Sequence, residues 1–492
     1  MKKNKTLLIL FCAGMLASGC TSFLNVEVIG KSTIESFFSE YSGAQMAGEG
    51  LHSELLNFYE SYLVKYAELK GICLNINTVN ADDGEYYLFN YSMKPEYTAT
   101  FPRMVWTDGF SVITQANNII YYVPKLRESV TTDSERKGCD KITGWGYFAR
   151  AIAHFQLCNC YAQPWIYTSD ASHIGIPVVD RVPGFSDEIP RKSVAEVYEL
   201  VISDLKKAID LMGEENSVPD CTYISSTACE ALLARVYLYK HDYANAELYS
   251  KKVMDKMTLT PRSNYVDMFR SPAANPGAET ILRLNSYDQT TSYLSDFDPT
   301  RSNDFYPDPA MYKLYDADDI RLKLLTYVAE DCEEEQYRGK SFSAVCKNLP
   351  YKSIADTKDN NPYPMVLRTS EMYLIHAEAL ALGERQDLAG AAEDLKALIA
   401  RARGKDASQI QISCSSAAQM EELIQKERTR ELCYEGHGVF DYLRRGCDVV
   451  RSSTSNAEIL EIKYPDYRFI LPIDQLEMEA NDSMIQNEGY DK

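Results

Sequence analysis

Between Arg191 and Met212, apolar residues recur at Val194, Val197, Tyr198, Val201, Ile202, Leu205, Ala208 and Ile209. This i, i+3, i+4, i+7 stripe predicts a helix with one buried face. Ser193 followed by Glu196 supplies a capping box at its start. The segment Thr227–Met257 reads as two helices joined at His241-Asp242, with Ala234, Tyr237 and Ala246 at the small-aromatic-small positions of a tetratricopeptide repeat. A second pair is predicted over Glu371–Ala402, where Ala379, Ala391, Leu395 and Leu398 fall at compatible places. Earlier helices are predicted at Ile34–Lys70, Phe110–Leu126 and Gly144–Tyr161. The pattern is mostly α, with roughly four degenerate tetratricopeptide-like repeats.

Two stretches break the helical period, near 71–109 and 261–365. Asn80–Tyr97 crowds tyrosines among turn formers, and Pro261–Pro309 mixes Pro, Gly, Asn and Asp with aromatics. Long irregular segments in a compact domain are uncommon unless they serve a function. The helices therefore read as a scaffold and these insertions as a loop-rich ligand-binding face.

The first residues have a different character. Lys2, Lys3 and Lys5 precede the apolar run Leu7–Ala17, and Ser18-Gly19 lead into Cys20. The run holds eleven residues, too few to span a bilayer, which takes about 20. The order is that of a secretory signal peptide, residues 1–19. Its ending resembles the lipobox of bacterial lipoproteins, which implies an acylated Cys20, palmitate among the chains, and a mature domain over 20–492. Thr21 follows, so the aspartate that commonly retains lipoproteins in the inner membrane is missing.

The formal charge of −20 becomes about −23 once the leader lysines are removed. With no basic cluster to offset it, nucleic acid is excluded as a partner. Of thirteen cysteines, eleven remain beyond Cys12 and Cys20, an odd number without regular spacing. That is no disulfide framework.

Catalytic motifs fail on inspection. Gly339-Lys340-Ser341 ends like a phosphate loop, but Glu334 stands where the first glycine is required. His154, Cys158 and Cys160 do not share one helix face, so a core reading is preferred to a metal site. Carboxylates such as Asp82-Asp83 are plentiful, yet nothing places two across a cleft. The expectation is no enzyme, no cofactor and no metal. In KERTRELCYEGHGVFDYLRRG (Lys426–Gly446), Glu427, Glu431 and Glu435 would share one helix face. Like charges so spaced are unfavourable alone. Arg428, Arg430, Arg444 or Arg445 is expected to pair with them in an ion-pair lock.

Six segments, in order, resemble the SusD/RagB family of outer-membrane nutrient-binding lipoproteins. They are GYFARAIAHFQLCNCYAQPW with IGIPVV (Gly146–Val179), Pro190–Met212, Ala231–Met254, VLRTSEMYLIHAEALA (Val366–Ala381), ERTRELCYEGHGVFDYLRRG, and RFILPIDQLEMEANDSMIQNEGY (Arg468–Tyr490). Gly438 stands where the family usually has Arg, and Asp474, Asp482 and Glu488 replace frequent prolines. The resemblance implies a helical scaffold on the outer leaflet of the outer membrane, facing the exterior and paired with a SusC-like TonB-dependent transporter. It also implies a glycan or oligosaccharide ligand, with a peptide-binding RagB-like member or a non-catalytic envelope scaffold as alternatives.

A glycan reader needs flat aromatic faces beside hydrogen-bonding side chains. The first insertion offers Tyr86, Tyr87, Tyr91, Tyr97 and Trp106 beside Asp82, Asp83, Asn90 and Arg103. The second offers Tyr287, Tyr293, Phe297, Phe305 and Tyr306 beside Asp296, Asp298 and Arg301.

Overall fold

A computed structural model describes residues 33–490, apart from 80–81, 98–100, 185–186, 214–219, 272–275, 285–298, 300–303, 329–337 and 350–363 and the side chains of 61, 62, 101, 102 and 348. The leader and Cys20 lie outside the described residues, as do Tyr293, Phe297 and Arg301.

The principal helices are α1 (Tyr41–Phe58), α2 (Asp83–Phe89), α3 (Phe101–Ser129), α4 (Asp133–Tyr161), α5 (Val194–Met212), α6 (Ser226–Tyr239), α7 (Tyr243–Lys256), α8 (Thr369–Leu382), α9 (Leu388–Arg403) and α10 (Ala417–Leu432). Short strands β1 (Leu74–Ile76), β2 (Thr280–Arg283), β3 (Phe305–Pro307) and β4 (Met365–Arg368) connect distant parts of the chain. β1 pairs antiparallel with β3, and β2 with β4.

The fold is mostly α-helical, and α3 through α9 pack each against the next in sequence, with α1 laid on α3 and α4. Helix α5 begins where the stripe predicts. Ser193 accepts from the Glu196 N–H, and the Glu196 carboxylate takes the Ser193 N–H. The α6–α7 pair turns at Asp242, which caps α7, and Ala234 and Ala246 are fully buried between its helices. In α4, Gly144 lets α5 come close: a Cβ there would stand 2.7 Å from Met212 Cγ. Arg150 then fastens three helices. Its guanidinium meets Asp204 at 2.7 and 2.9 Å and Asn117 Oδ1 at 2.7 Å.

Four predicted helices need correction. Ile34–Lys70 is broken into Ile34–Phe37, α1, a π-helical turn at Tyr59–Leu63 and Val64–Leu69. Helix α4 starts at Asp133, behind a Thr132–Glu135 capping box. Helix α3 starts at Phe101, so Trp106 is helical. The first insertion is thus largely ordered structure: β1, α2 and a 3-10 turn at Pro95–Tyr97 occupy it. Helix α10 ends at Leu432, so Glu435 does not share a helix face with Glu427 and Glu431.

The ion-pair lock exists, with mostly different cations. Tyr434, in the left-handed region at φ 67°, turns the chain so that Glu435 returns to the network. Arg321 reaches Glu427 at 2.6 Å and Glu431 at 2.9 Å. Arg368 and Arg401 meet the same Glu431 oxygen at 2.7 and 2.6 Å, and Arg368 also meets Glu435 at 2.7 Å. Of the four expected cations, Arg430 pairs with Glu427, while Arg428 and Arg444 pair with Asp441. All three glutamates are buried acceptors with matched donors, the condition under which a buried charge is tolerated.

The last residues close the molecule. Asn487 donates to the Tyr161 and Leu471 carbonyls, and Arg191 donates to Asn487 Oδ1 at 2.8 Å. Tyr66 Oη donates to the Phe469 carbonyl at 2.7 Å. Asp474 caps the helix Gln475–Ala480 and pairs with Arg103 at 3.2 Å.

Candidate functional site

The tyrosine face is built where α2, β3 and a hairpin at 449–462 meet. Asp82 caps α2 by accepting from the Glu85 N–H at 2.7 Å, and Glu85 returns the bond to the Asp82 N–H. That capping box fixes the direction of α2. Asp82 and Asp83 are exposed at its start, and Tyr86 and Tyr87 follow, half-buried, one turn on.

Tyr87 stacks on Tyr97, with ring centroids 4.3 Å apart and planes within 8°. Tyr86 meets the Tyr87 ring edge-on at 6.0 Å and donates its phenol to Glu458 Oε1 at 2.6 Å. That carboxylate, stabilised by the bond, raises the Tyr86 phenol above its ordinary value. Both phenols therefore stay neutral and able to donate at physiological pH, and Tyr87 is raised by desolvation and the Tyr97 neighbour.

Strand β3 brings Tyr306 opposite Asn75 of β1. Between this strand and α2 lies Asn456. Its amide donates to the Ile76 carbonyl at 2.6 Å and reaches the Tyr306 hydroxyl at 3.5 Å. The Glu458 N–H donates to Asn90 Oδ1 at 2.8 Å. One short run, Asn456–Glu458, thus joins the Tyr86–Tyr87–Tyr97 cluster to Tyr306.

Arg451 holds that run in place. Its guanidinium donates to the carbonyls of Leu69 at 2.7 Å, Gly71 at 3.0 Å and Phe89 at 2.6 Å, and lies 4.4 Å from the Phe89 ring centroid. It ties the 449–462 hairpin to the end of α2 and to the turn before β1. The face carries rigid aromatic planes, hydroxyl and amide donors, and carboxylate acceptors, which is a chemistry suited to polyhydroxylated ligands.

Three of the sequence-candidate rings are core and are corrected here: Phe305, fully buried in β3, and Tyr91 and Trp106. Tyr91 is buried, donates to the Lys70 carbonyl and packs edge-on against Phe469 at 5.7 Å. Its φ of 52° turns the chain inward after α2. Trp106 is buried against Phe110 and Tyr161, at 4.7 and 4.9 Å. None of the three faces solvent. Asp82, Asp83, Tyr86, Tyr87 and Tyr306 stay on the accessible face. Sequence reasoning missed Asn456, Glu458 and Arg451. The only signal was the polar run Ser452–Asn456 between two short apolar pairs.

His154 is a satisfied core residue. Its Nε2 accepts from the Val179 N–H at 3.1 Å, and its Nδ1 lies 2.8 Å from the Arg150 carbonyl, to which it donates. Among the described residues no cluster of three metal-ligating side chains forms, and no helix is long and apolar enough to cross a membrane.

Two family models match the chain. The model described as "SusD family" matches residues 327–490, and that described as "Starch-binding associating with outer membrane" matches residues 46–238. Among curated proteins, none matches. Solved structures share the fold. A SusD superfamily protein from Bacteroides vulgatus superposes with a TM-score of 0.77 at 24% identity, over 92% of this chain and 99% of its own. A SusD-like carbohydrate binding protein from the same organism gives 0.74 at 20% identity, over 90% and 97%. Surface glycan-binding protein A from Bacteroides fluxus gives 0.71 at 17% identity, over 91% and 99%. The six ordered motifs, the matched segments at both ends of the chain and the shared helical stack agree: the chain belongs to the SusD/RagB family.

Proposed function

We propose that this protein captures glycans or oligosaccharides at the cell surface without cleaving them. The observation that carries the reading is the tyrosine face, in which Tyr86, Tyr87, Tyr97 and Tyr306 are set beside Asn456 and Glu458. The starch-binding description of one matching family and the carbohydrate-binding titles of solved relatives support it. On this reading residues 1–19 are a leader, Cys20 is lipidated, and 20–492 is one domain held on the outer membrane, facing outward. A SusC-like TonB-dependent transporter receives the ligand.

The test is a glycan array probed with the soluble chain lacking the leader and Cys20, followed by calorimetry on the best ligand. Binding without product release is expected, and Tyr86→Ala with Tyr306→Ala should weaken it at least tenfold. Hydrolysis abolished by one carboxylate substitution would make the protein an enzyme. Binding of peptides in place of glycans would make it a RagB-like peptide receptor.

A further inference from the structure

A cavity built from other side chains lies beside the turn that follows α10. It encloses about 240 Å³ between α10, the turn at Gly436–Gly438 and the Glu68–Cys73 segment. Its walls are chiefly apolar, with Ile72, Leu314 and Leu432 lining them. Two polar side chains, each 1% exposed, also line it.

The first is Glu68. Its Oε1 accepts from the Gly436 and Gly438 N–H groups at 3.0 and 3.2 Å, and its Oε2 meets no protein partner among the described residues. The second is Arg428. Its Nε donates to the two Asp441 oxygens at 3.0 and 3.1 Å; its Nη2 stands 2.9 Å from one of them as an ion pair without hydrogen-bond alignment, and neither Nη1 nor Nη2 has a hydrogen-bond acceptor among the described residues. Buried polar atoms are almost always paired, so three unmet ones on two side chains of one cavity call for a complementary group.

The nature of that group follows from the donors. Nη1 can only donate. Burial pushes the Glu68 carboxyl up to about 7, so near neutral pH it is available as an acid that also donates. Exposed Lys426 and half-buried Arg445 stand at the lining, and the nearest carboxylate to Arg445 is Glu421 at 3.8 Å. Two donors, cationic side chains and apolar walls suit an anionic acceptor on an apolar body. A sugar, ringed with hydroxyls, would leave several of them unpaired against Ile72, Leu314 and Leu432.

We propose that this cavity binds a small monocarboxylate, its oxygens taking hydrogen bonds from Arg428 Nη1 and the Glu68 acid, and its apolar body resting on Ile72, Leu314 and Leu432. The site is independent of the tyrosine face and of the glycan reading.

Calorimetry with benzoate on the purified chain tests it, with benzamide and benzyl alcohol as uncharged counterparts of the same shape. Benzoate is expected to bind at least tenfold more tightly than either. Arg428→Lys should weaken it at least tenfold. Thr429→Phe fills the cavity from α10 without touching an ion pair and should abolish binding, even if Arg428→Lys fails to fold. Tyr86→Ala should leave benzoate binding unchanged. Absence of benzoate binding, equal affinity for benzamide, or binding that survives Thr429→Phe would each overturn the proposal.

Discussion

Arg368 Nη1 stands 2.7 Å from Glu431 Oε1, the same oxygen that Arg401 Nη2 meets at 2.6 Å, with all three side chains buried. One carboxylate thus holds β4, α9 and α10 together. Removing one partner of a buried pair leaves an uncompensated charge, at a cost of about 3–5 kcal/mol. Arg368→Met should therefore lower the urea-unfolding free energy by about that much, and Glu431→Gln by a similar amount. A midpoint unchanged in either variant would show that the lock contributes nothing to stability.

Acid should unfold the protein steeply. Burial opposes ionisation of Glu431, Glu435 and Asp441, yet the surrounding Arg and Lys side chains hold their carboxyls below the usual range. Carboxyls depressed in the folded state contribute stability above the unfolded value near 4.5, and that stability is lost as pH falls. Burial also lowers His52, His154 and His437 to about 4, so the unfolded chain binds more protons between pH 6.5 and 4 and stability falls across that window. Glu60 and Glu68, raised by burial to about 8 and about 7, act in the opposite sense down to about 4.5. The expected profile is shallow between pH 6.5 and 4.5 and falls sharply below it, as read by circular dichroism at fixed urea.

Glu68→Gln isolates one of these groups. Above pH 7 the wild-type carboxylate is ionised in a buried place, whereas Gln keeps an acceptor for the glycine N–H groups and never ionises. The variant should be roughly 1–3 kcal/mol more stable than wild type at pH 9 and nearly equal to it at pH 5. Equal stability at both pH values would place the Glu68 carboxyl at its ordinary value.

Core and face tyrosines should separate cleanly. Tyr91→Phe loses the buried bond to the Lys70 carbonyl and should cost about 1–2 kcal/mol of stability. Trp106→Ala empties a core site and should cost about 3–5 kcal/mol. Neither should change the ligand affinity of the folded fraction. Tyr87→Ala and Glu458→Gln should weaken glycan binding while leaving the thermal midpoint within a few degrees. Affinity lost in Tyr91→Phe at constant stability would return that ring to the binding face.

At Gly438 a close backbone approach explains the glycine. A Cβ there would stand 2.2 Å from the Ala67 carbonyl oxygen, while the next residue, Val439, donates to that same oxygen at 2.8 Å. Gly438→Ala should lower the thermal midpoint, since backbone must move to admit one methyl.

Much of the scaffold was legible because its information is local. The stripe from Val194 to Ile209, the Ser193–Glu196 box and the small residues Ala234 and Ala246 each need only neighbours in sequence. Trp106 falls outside the helix predicted over Phe110–Leu126, although the helix begins at Phe101 and its buried positions run back to Val105 and Trp106. The lock was legible as acids in need of cations. Its main cations, Arg321, Arg368 and Arg401, come from 30 to 110 positions away, and periodicity carries no such distance. For the same reason the binding face was half-read: Tyr86 and Tyr306 announce themselves by composition, whereas Asn456 and Glu458 join them only after tertiary pairing across 372 positions.

The bond from Arg191 to Asn487 crosses 296 positions, and that from Tyr66 to Phe469 crosses 403. Loops of that span close slowly, because their entropy is lost before the contacts that reward it are made. Until the final segment docks, the buried Arg191 guanidinium keeps the Gly175 and Tyr161 carbonyls but lacks the Ile485 carbonyl and Asn487 Oδ1, and the Tyr66 phenol lacks the Phe469 carbonyl. Docking of the segment that carries Phe469 and Asn487 onto the first half of the molecule is therefore expected late in folding, after the locally connected helical stack has formed.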